Sequence, residues 1–403
     1  MAKGFQNTVR RALVRASFVA CAALLAFAPA AAAQGVTVEA FDAAFRDWMK
    51  RYRVARGVLA VSHDNRLALV KGYGGMDPAK PVPLASLAKA ITGACVATLV
   101  RDKRLALDAR LGDVLGPFFR RHGEPADPRV GAITVEQLLT HRSGFSRKAN
   151  PDPASGVALV AHLREHGGAE AHLDAAMKRA LAYRLARAPG QAYEYVNVNY
   201  LILGAVIEQA AGRAYEAYCR DSVLRPLGIQ GARLGPKWAA LSSYGGWSMT
   251  GPEYLAFLHA FDRTSGILDA ATRRWLVAPE RKRFGGHPDL VYSLGVVARR
   301  DREGPSVWHT GLWTHAQNDV PGGPLADSHA TLAVKTAAGA AWFVYMEPQP
   351  STAARAALDA ALWRAANAVK TWPQRDLFAR YGVGTKASPA ASTRASIPAA
   401  ASR

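Results

Sequence analysis

"GVLAVSHDNRLALVKGYG", residues 57–74, holds two short extended runs that meet at His63-Asp64-Asn65. Apolar runs of this length bounded by turn residues predict a β-hairpin. Just before it, Phe41, Phe45, Trp48, Met49 and Tyr52 recur at helical spacing, so residues 41–53 predict an amphipathic helix. Just after it, residues 86–102 predict a second helix. From 103 to 280 the chain reads as helices and loops. "ITVEQLLTHRSG" (133–144) and "MTGPEYLAFLHAF" (249–261) both open on capping boxes, Thr134 with Gln137 and Thr250 with Glu253. Extended segments return at "LVYSLGVVAR", "SVWHTGLW", "ATLAVKT" and "AAWFVYME", and residues 352–371 close with an amphipathic helix carrying Leu358, Leu362 and Ala366 on one face. Strands at both ends and helices in the middle imply one sheet completed by distant parts of the chain. The predicted fold is therefore α/β (α+β): an antiparallel sheet flanked by the N- and C-terminal helices, with a mostly helical lobe inserted.

The 403 residues, 50% hydrophobic and 20% charged, suit a globular protein of two lobes rather than one. These are residues 34–102 with 281–372 for the sheet, and 103–280 for the helices. Residues 1–33 read as a secretory signal, with Lys3, Arg10, Arg11 and Arg15 before the apolar run 16–28 and Ala31-Ala32-Ala33 as a cleavage site. Periplasmic or secreted localisation is the expectation. Removing the signal takes the formal net charge from +20 to +16. The stretch 373–403 reads as a basic, disordered tail. So basic a chain favours anionic surfaces, and weak contact with anionic wall or membrane surfaces is expected. No nucleic-acid motif is present. Cys95 and Cys219 sit among apolar neighbours and read as buried free thiols.

Three short stretches carry chemistry. In "VPLASLAKAITGAC" (82–95), Ser86 and Lys89 lie three apart on a helix and share a face. In a dry cleft a lysine loses its charge and can accept a serine proton. In "PGQAYEYVNVNYLILGAVIEQAAG" (189–212), Tyr195 could relay that proton if a neighbouring lysine lowers its phenol pKa from about 10. Asn197 offers an amide able to bridge the lysine and a substrate carbonyl. In "VWHTGLW" (307–313), Gly311 allows another backbone to come close. The N–H groups of Ser86 and Leu312 are then candidates for an oxyanion hole.

Together the three stretches resemble the penicillin-recognising serine hydrolases related to class C β-lactamases, D-alanyl-D-alanine carboxypeptidases, D-aminopeptidases and β-lactamase-like esterases. The resemblance runs from Gly57 to Trp372 and includes "GYG", "SLAK", "LALD" (105–108), "LLTHRSG", "YVNVNY", "RPLGI" (225–229) and "HTG". It implies a β-lactamase/transpeptidase-like fold. Ser86 would be the acylated nucleophile, with Lys89 and Tyr195 sharing the general-base work. Asn197, His309, Thr310, Gly311 and Leu312 would contact substrate. His141, in "LLTHRSG", is expected to fix the loop after its helix.

The third motif has histidine where many relatives have lysine. Histidine is largely neutral near pH 7, which shifts weight from β-lactamase toward esterase or peptidase. Lys335-Thr336-Ala337 imitates the missing motif but falls at a strand end. "HLREH" (162–166), with His172 nearby, imitates a zinc site and reads instead as a solvated polar helix. Trp247, Trp308 and Trp313 are candidate cleft walls. The sequence thus predicts an exported serine hydrolase, a monomer without metal or cofactor. Its substrate would be a small molecule or peptide: a D-amino-acid peptide of peptidoglycan type, a small ester or a β-lactam. The competing reading is a non-catalytic module of the same fold that binds wall peptides.

Overall fold

The 57–74 stretch folds as an antiparallel hairpin of β1 (Arg56–His63) and β2 (Arg66–Tyr73). Asp64 and Asn65 at its tip take φ of 47° and 60°, the left-handed pair that suits a tight hairpin and that Asp and Asn tolerate. The computed structural model describes residues 36–152, 173–235, 241–278, 283–284, 287–302, 304–313 and 328–384. A small sheet joins β3 (Val82–Pro83), β4 (Arg233–Leu234) and β5 (Trp247–Met249) in the order β3-β5-β4. The remaining strands are β6 (Leu290–Ser293), β7 (Val296–Asp301), β8 (Gly304–Trp313), β9 (His329–Lys335) and β10 (Ala340–Glu347). With the first hairpin they form one seven-stranded antiparallel sheet, β2-β1-β10-β9-β8-β7-β6. Pairing of β1 with β10, Val58 opposite Tyr345, closes the sheet from the two ends of the chain.

The helices that matter for the site are α1 (Glu39–Tyr52), α2 (Ala88–Arg101), α3 (Val135–Leu139), α4 (Asn197–Ala211), α5 (Gly251–Leu258) and α6 (Thr352–Ala368). Successive strand residues point to opposite faces, and both faces are covered. Leu59, Val61, Trp342 and Val344 meet Phe41, Phe45, Leu358 and Leu362 of α1 and α6. Val58, Ala60, Phe343 and Tyr345 meet the helical part. Helices α2 and α4 are apolar around most of their circumference and buried accordingly. Both capping boxes form, at α3 and α5.

The segments expected as two lobes both contribute to one apolar cluster, and a second cluster lies on the other face of the sheet. Two expectations need correction. Cys95 and Cys219 are bonded as a disulfide, their Cα atoms 5.5 Å apart. Their apolar surroundings concealed that α2 and the helix Tyr215–Cys219 lie side by side. Residues 373–384 of the presumed tail are packed: Phe378 and Val383 are buried, Leu377 N–H donates to Leu67 O, and Asp376 accepts from Leu67 N–H. Aromatic and aliphatic residues interrupt that basic stretch often enough to anchor it. Residues 1–33 and 385–403 lie outside the described residues.

Candidate active site

Ser86 sits in a 3₁₀ turn, Ala85–Leu87, that leads into α2. The preceding Ala85 has φ of 48°, a strained value for a residue with a Cβ. Neighbours hold it there. Leu84 N–H donates to Trp247 O at 2.9 Å, and Thr331 Oγ1 donates to Leu84 O at 2.9 Å. The turn presents the Ser86 hydroxyl half-buried at the head of a helix, where the dipole favours developing negative charge.

Lys89 follows one turn later and is wholly buried. Its Nζ lies 2.9 Å from Ser86 Oγ and donates to Tyr244 O at 2.9 Å. The rings of Tyr195, Tyr244 and Tyr200 surround it, with centroids 5.1, 5.3 and 5.9 Å away. Burial pushes its pKa down to about 7, with Asp152 acting against the fall and Arg147 adding to it. Near neutral pH much of Lys89 is therefore a free amine beside a hydroxyl. The Tyr244 carbonyl is aimed by a buried network. Thr92, on α2, bonds Ser243 O at 2.5 Å and Tyr215 OH at 2.7 Å, and Trp247 Nε1 donates to Tyr215 OH at 2.8 Å. Trp247 is thus a core residue and no cleft wall.

The Tyr195 phenol is raised by burial, with the Ser86 hydroxyl pulling it partly back. The expected lowering is overturned, because burial of the phenol outweighs the groups that would stabilise a phenolate. Its hydroxyl is buried and close to Ser86 without a settled hydrogen bond. At neutral pH Tyr195 is a phenol, able to pass a proton on but not to act as a resting phenolate. His141 lies beneath it, ring centroids 4.4 Å apart. His141 Nδ1 accepts from Val196 N–H at 3.3 Å and from Asn199 Nδ2 at 2.9 Å. It therefore ties its loop to the start of α4, the structural part expected of it.

The "HTG" stretch lies on β8 beyond the point where pairing with β7 ends, at Val297 opposite Trp308. From His309 onward β8 is paired only with β9 among the described residues, and its other edge faces the Ser86 turn. A Cβ on Gly311 would stand 2.2 Å from Thr331 Oγ1 and 2.4 Å from Leu84 O. The glycine is what lets the strand approach the turn. Thr310 and Leu312 are exposed there, Leu312 at 42%. The Ser86 and Leu312 N–H groups remain the candidates for holding an oxyanion. We expect Gly311→Ala to cost about 1–3 kcal/mol through overpacking and about 10²-fold in acylation through displacement of the turn. Thermal melting and labelling by a serine-reactive probe check this, and wild-type values for both would show that the strand tolerates the methyl.

His309 departs from its expected part. It is 7% exposed, its Nε2 accepts from Tyr292 OH at 3.1 Å, and its Nδ1 donates to Thr310 O at 2.6 Å. Burial, with Lys89 adding to it, lowers its pKa to about 3. Both ring nitrogens are spent within the protein, so the ring offers substrate neither a charge nor a free nitrogen.

A model of the Beta-lactamase family matches residues 41–367, spanning every group just described. The chain belongs to the beta-lactamase family. It shares 29% identity over 202 residues with Esterase EstB of Burkholderia gladioli, covering 47% of this chain and 49% of that one. It is 29% identical over 137 residues to "Probable fimbrial assembly protein FimD, serogroup H1" of Dichelobacter nodosus, covering 34% and 31%. The matched segment thus spans less than half the length of either relative. The D-stereospecific amidohydrolase of Streptomyces sp. superposes with a TM-score of 0.63 over 79% of this chain and 97% of its own, at 16% identity. That likeness shows the fold, shared within a hydrolase family.

Other features of this beta-lactamase-family chain fall into place. Lys335 is buried at the end of β9 and paired with Asp262 at 3.0 Å, so Lys335-Thr336-Ala337 is no site motif. "HLREH" and His172 lie outside the described residues. Sequence reasoning missed Tyr244, Asp152 and Gly295. A Cβ on Gly295 would stand 2.2 Å from Lys89 O, so the β6–β7 turn is seated on the lysine's own backbone. Asp152 accepts from Asn197 Nδ2 at 2.5 Å and from Tyr244 OH at 2.7 Å. Only the Leu294-Gly295 turn left a trace in the sequence, as a glycine between two apolar runs.

Proposed function

We propose that the chain is an exported serine hydrolase that forms an acyl-enzyme on Ser86. The observation that carries this is a lysine amine stripped of water 2.9 Å from a serine hydroxyl. Ser86 Oγ attacks an ester or amide carbonyl while Lys89 Nζ takes its proton. The N–H groups of Ser86 and Leu312 hold the oxyanion. As the tetrahedral adduct collapses, the proton returns to the leaving group from Lys89 through the Tyr195 phenol. Water then attacks the acyl-enzyme with the same base. Substrates are D-amino-acid peptides, small esters or β-lactams. The esterase and D-stereospecific amidohydrolase among similar proteins support the first two, and the neutral His309 weighs against carboxylate-bearing β-lactams. Export is supported by the signal-like residues 1–33 and by the Cys95–Cys219 disulfide, a bond that persists in oxidising compartments.

Intact-mass spectrometry after brief incubation with p-nitrophenyl esters, D-alanyl peptides and β-lactams tests the reading. One acyl increment, mapped to the peptide containing Ser86, is expected from at least one class. Turnover with the increment on another residue would overturn it.

A further inference from the structure

We propose that Asp152 and Asn197 form a subsite for a protonated amine beside the scissile carbonyl, so that the site prefers acyl donors with a free α-amino group over N-acylated ones. The inference rests on the serine-hydrolase reading above and names its substrate class. A carboxylate only accepts hydrogen bonds, so the contact between Asp152 Oδ2 and Asn197, 2.5 Å, fixes the amide with its Nδ2 toward the acid. That turns Asn197 Oδ1 the other way, and this oxygen is buried with no hydrogen-bond partner. Buried acceptors are ordinarily satisfied, and here a ligand would do it. The residue expected to donate to a substrate carbonyl is thus locked as an acceptor. An N-acyl carbonyl would bring a third oxygen to an acceptor and a carboxylate, whereas an ammonium brings donors and the opposite charge.

The same carboxylate takes the Tyr244 hydroxyl, and the Tyr244 carbonyl takes the Lys89 amine. The subsite is therefore built onto the reaction centre, and the charge of Asp152 acts on Lys89. Arg147, on the same loop, acts on Lys89 and Tyr195 in the opposite sense. It is exposed, so solvent and salt screen it more than the half-buried acid. The facing strand adds no cation, since His309 is neutral and internally bonded.

The test compares kcat/KM for D-alanine p-nitroanilide and its N-acetyl counterpart, with p-nitrophenyl acetate as a substrate lacking the amine. At pH 7 wild type should favour the free amine by about tenfold or more. That ratio should fall as pH passes about 8, where an α-amine loses its proton. Asp152→Asn should lower the ratio at least about tenfold, the counterpart of losing one charge contact to an ammonium, whereas Asp152→Glu should keep its direction. A wild-type ratio at or below one overturns the proposal, even if Asp152→Asn fails to fold, and so does an unchanged ratio in a folded Asp152→Asn. Ser86-dependent hydrolysis of p-nitrophenyl acetate alongside such a ratio would leave the hydrolase reading standing. Absence of turnover on all three substrates would overturn both.

Discussion

Ser86→Ala should abolish formation of the acyl adduct and lower kcat/KM by at least about 10³-fold, as loss of a nucleophile does in other serine hydrolases. Ala85 carries only a methyl, and the tyrosine hydroxyls whose rings surround Lys89 are raised by burial. The variant should fold normally. Ser86 is half-buried, and Lys89 keeps its bond to the Tyr244 carbonyl when the serine oxygen is removed. Unchanged thermal melting together with lost labelling by a fluorophosphonate is the expected pair of results. Equal labelling of wild type and variant would place the nucleophile elsewhere.

Lys89→Arg should lower acylation by about 10²–10⁴-fold, the usual contribution of a positioned general base. A guanidinium stays protonated at any working pH, and the ring of tyrosines leaves it little room. The wild-type pH profile supplies an independent reading. Burial lowers the lysine pKa to about 7. Below that value the group is an ammonium with no lone pair for the serine proton, and above it a free amine. Acylation should therefore rise with pH through about 7 and then level off. A rise centred near 10, the ordinary lysine range, would mean that the amine is hydrated and that the proton goes elsewhere.

Much of this site could be read along the chain because its parts depend on local spacing. Ser86 and Lys89 share a face through helix geometry alone. The capping boxes at Thr134 and Thr250 are set by residues three apart, and the Asp64-Asn65 turn by its own backbone preferences. Short apolar runs such as "GVLAVS" and "AAWFVYME" predict strands without naming their partners.

Long-range placement determined the rest. Whether Cys95 meets Cys219 depends on two helices 124 residues apart in the chain lying side by side. Whether His309 faces substrate depends on Tyr292 from a neighbouring hairpin claiming its ring. The direction of the Tyr195 shift turned on how completely water is excluded, a property of three packed segments rather than of any one.

Residue types and local periods in this sequence determined the family, the serine and its lysine, and the strands on either side of a helical insertion, since these follow from backbone geometry over a few residues. Only the tertiary structure decided that Lys89 is dry, that Tyr195 remains a phenol, and that Asp152 turns Asn197 into an acceptor. Solvation and hydrogen-bond direction are set by atoms that folding alone brings together.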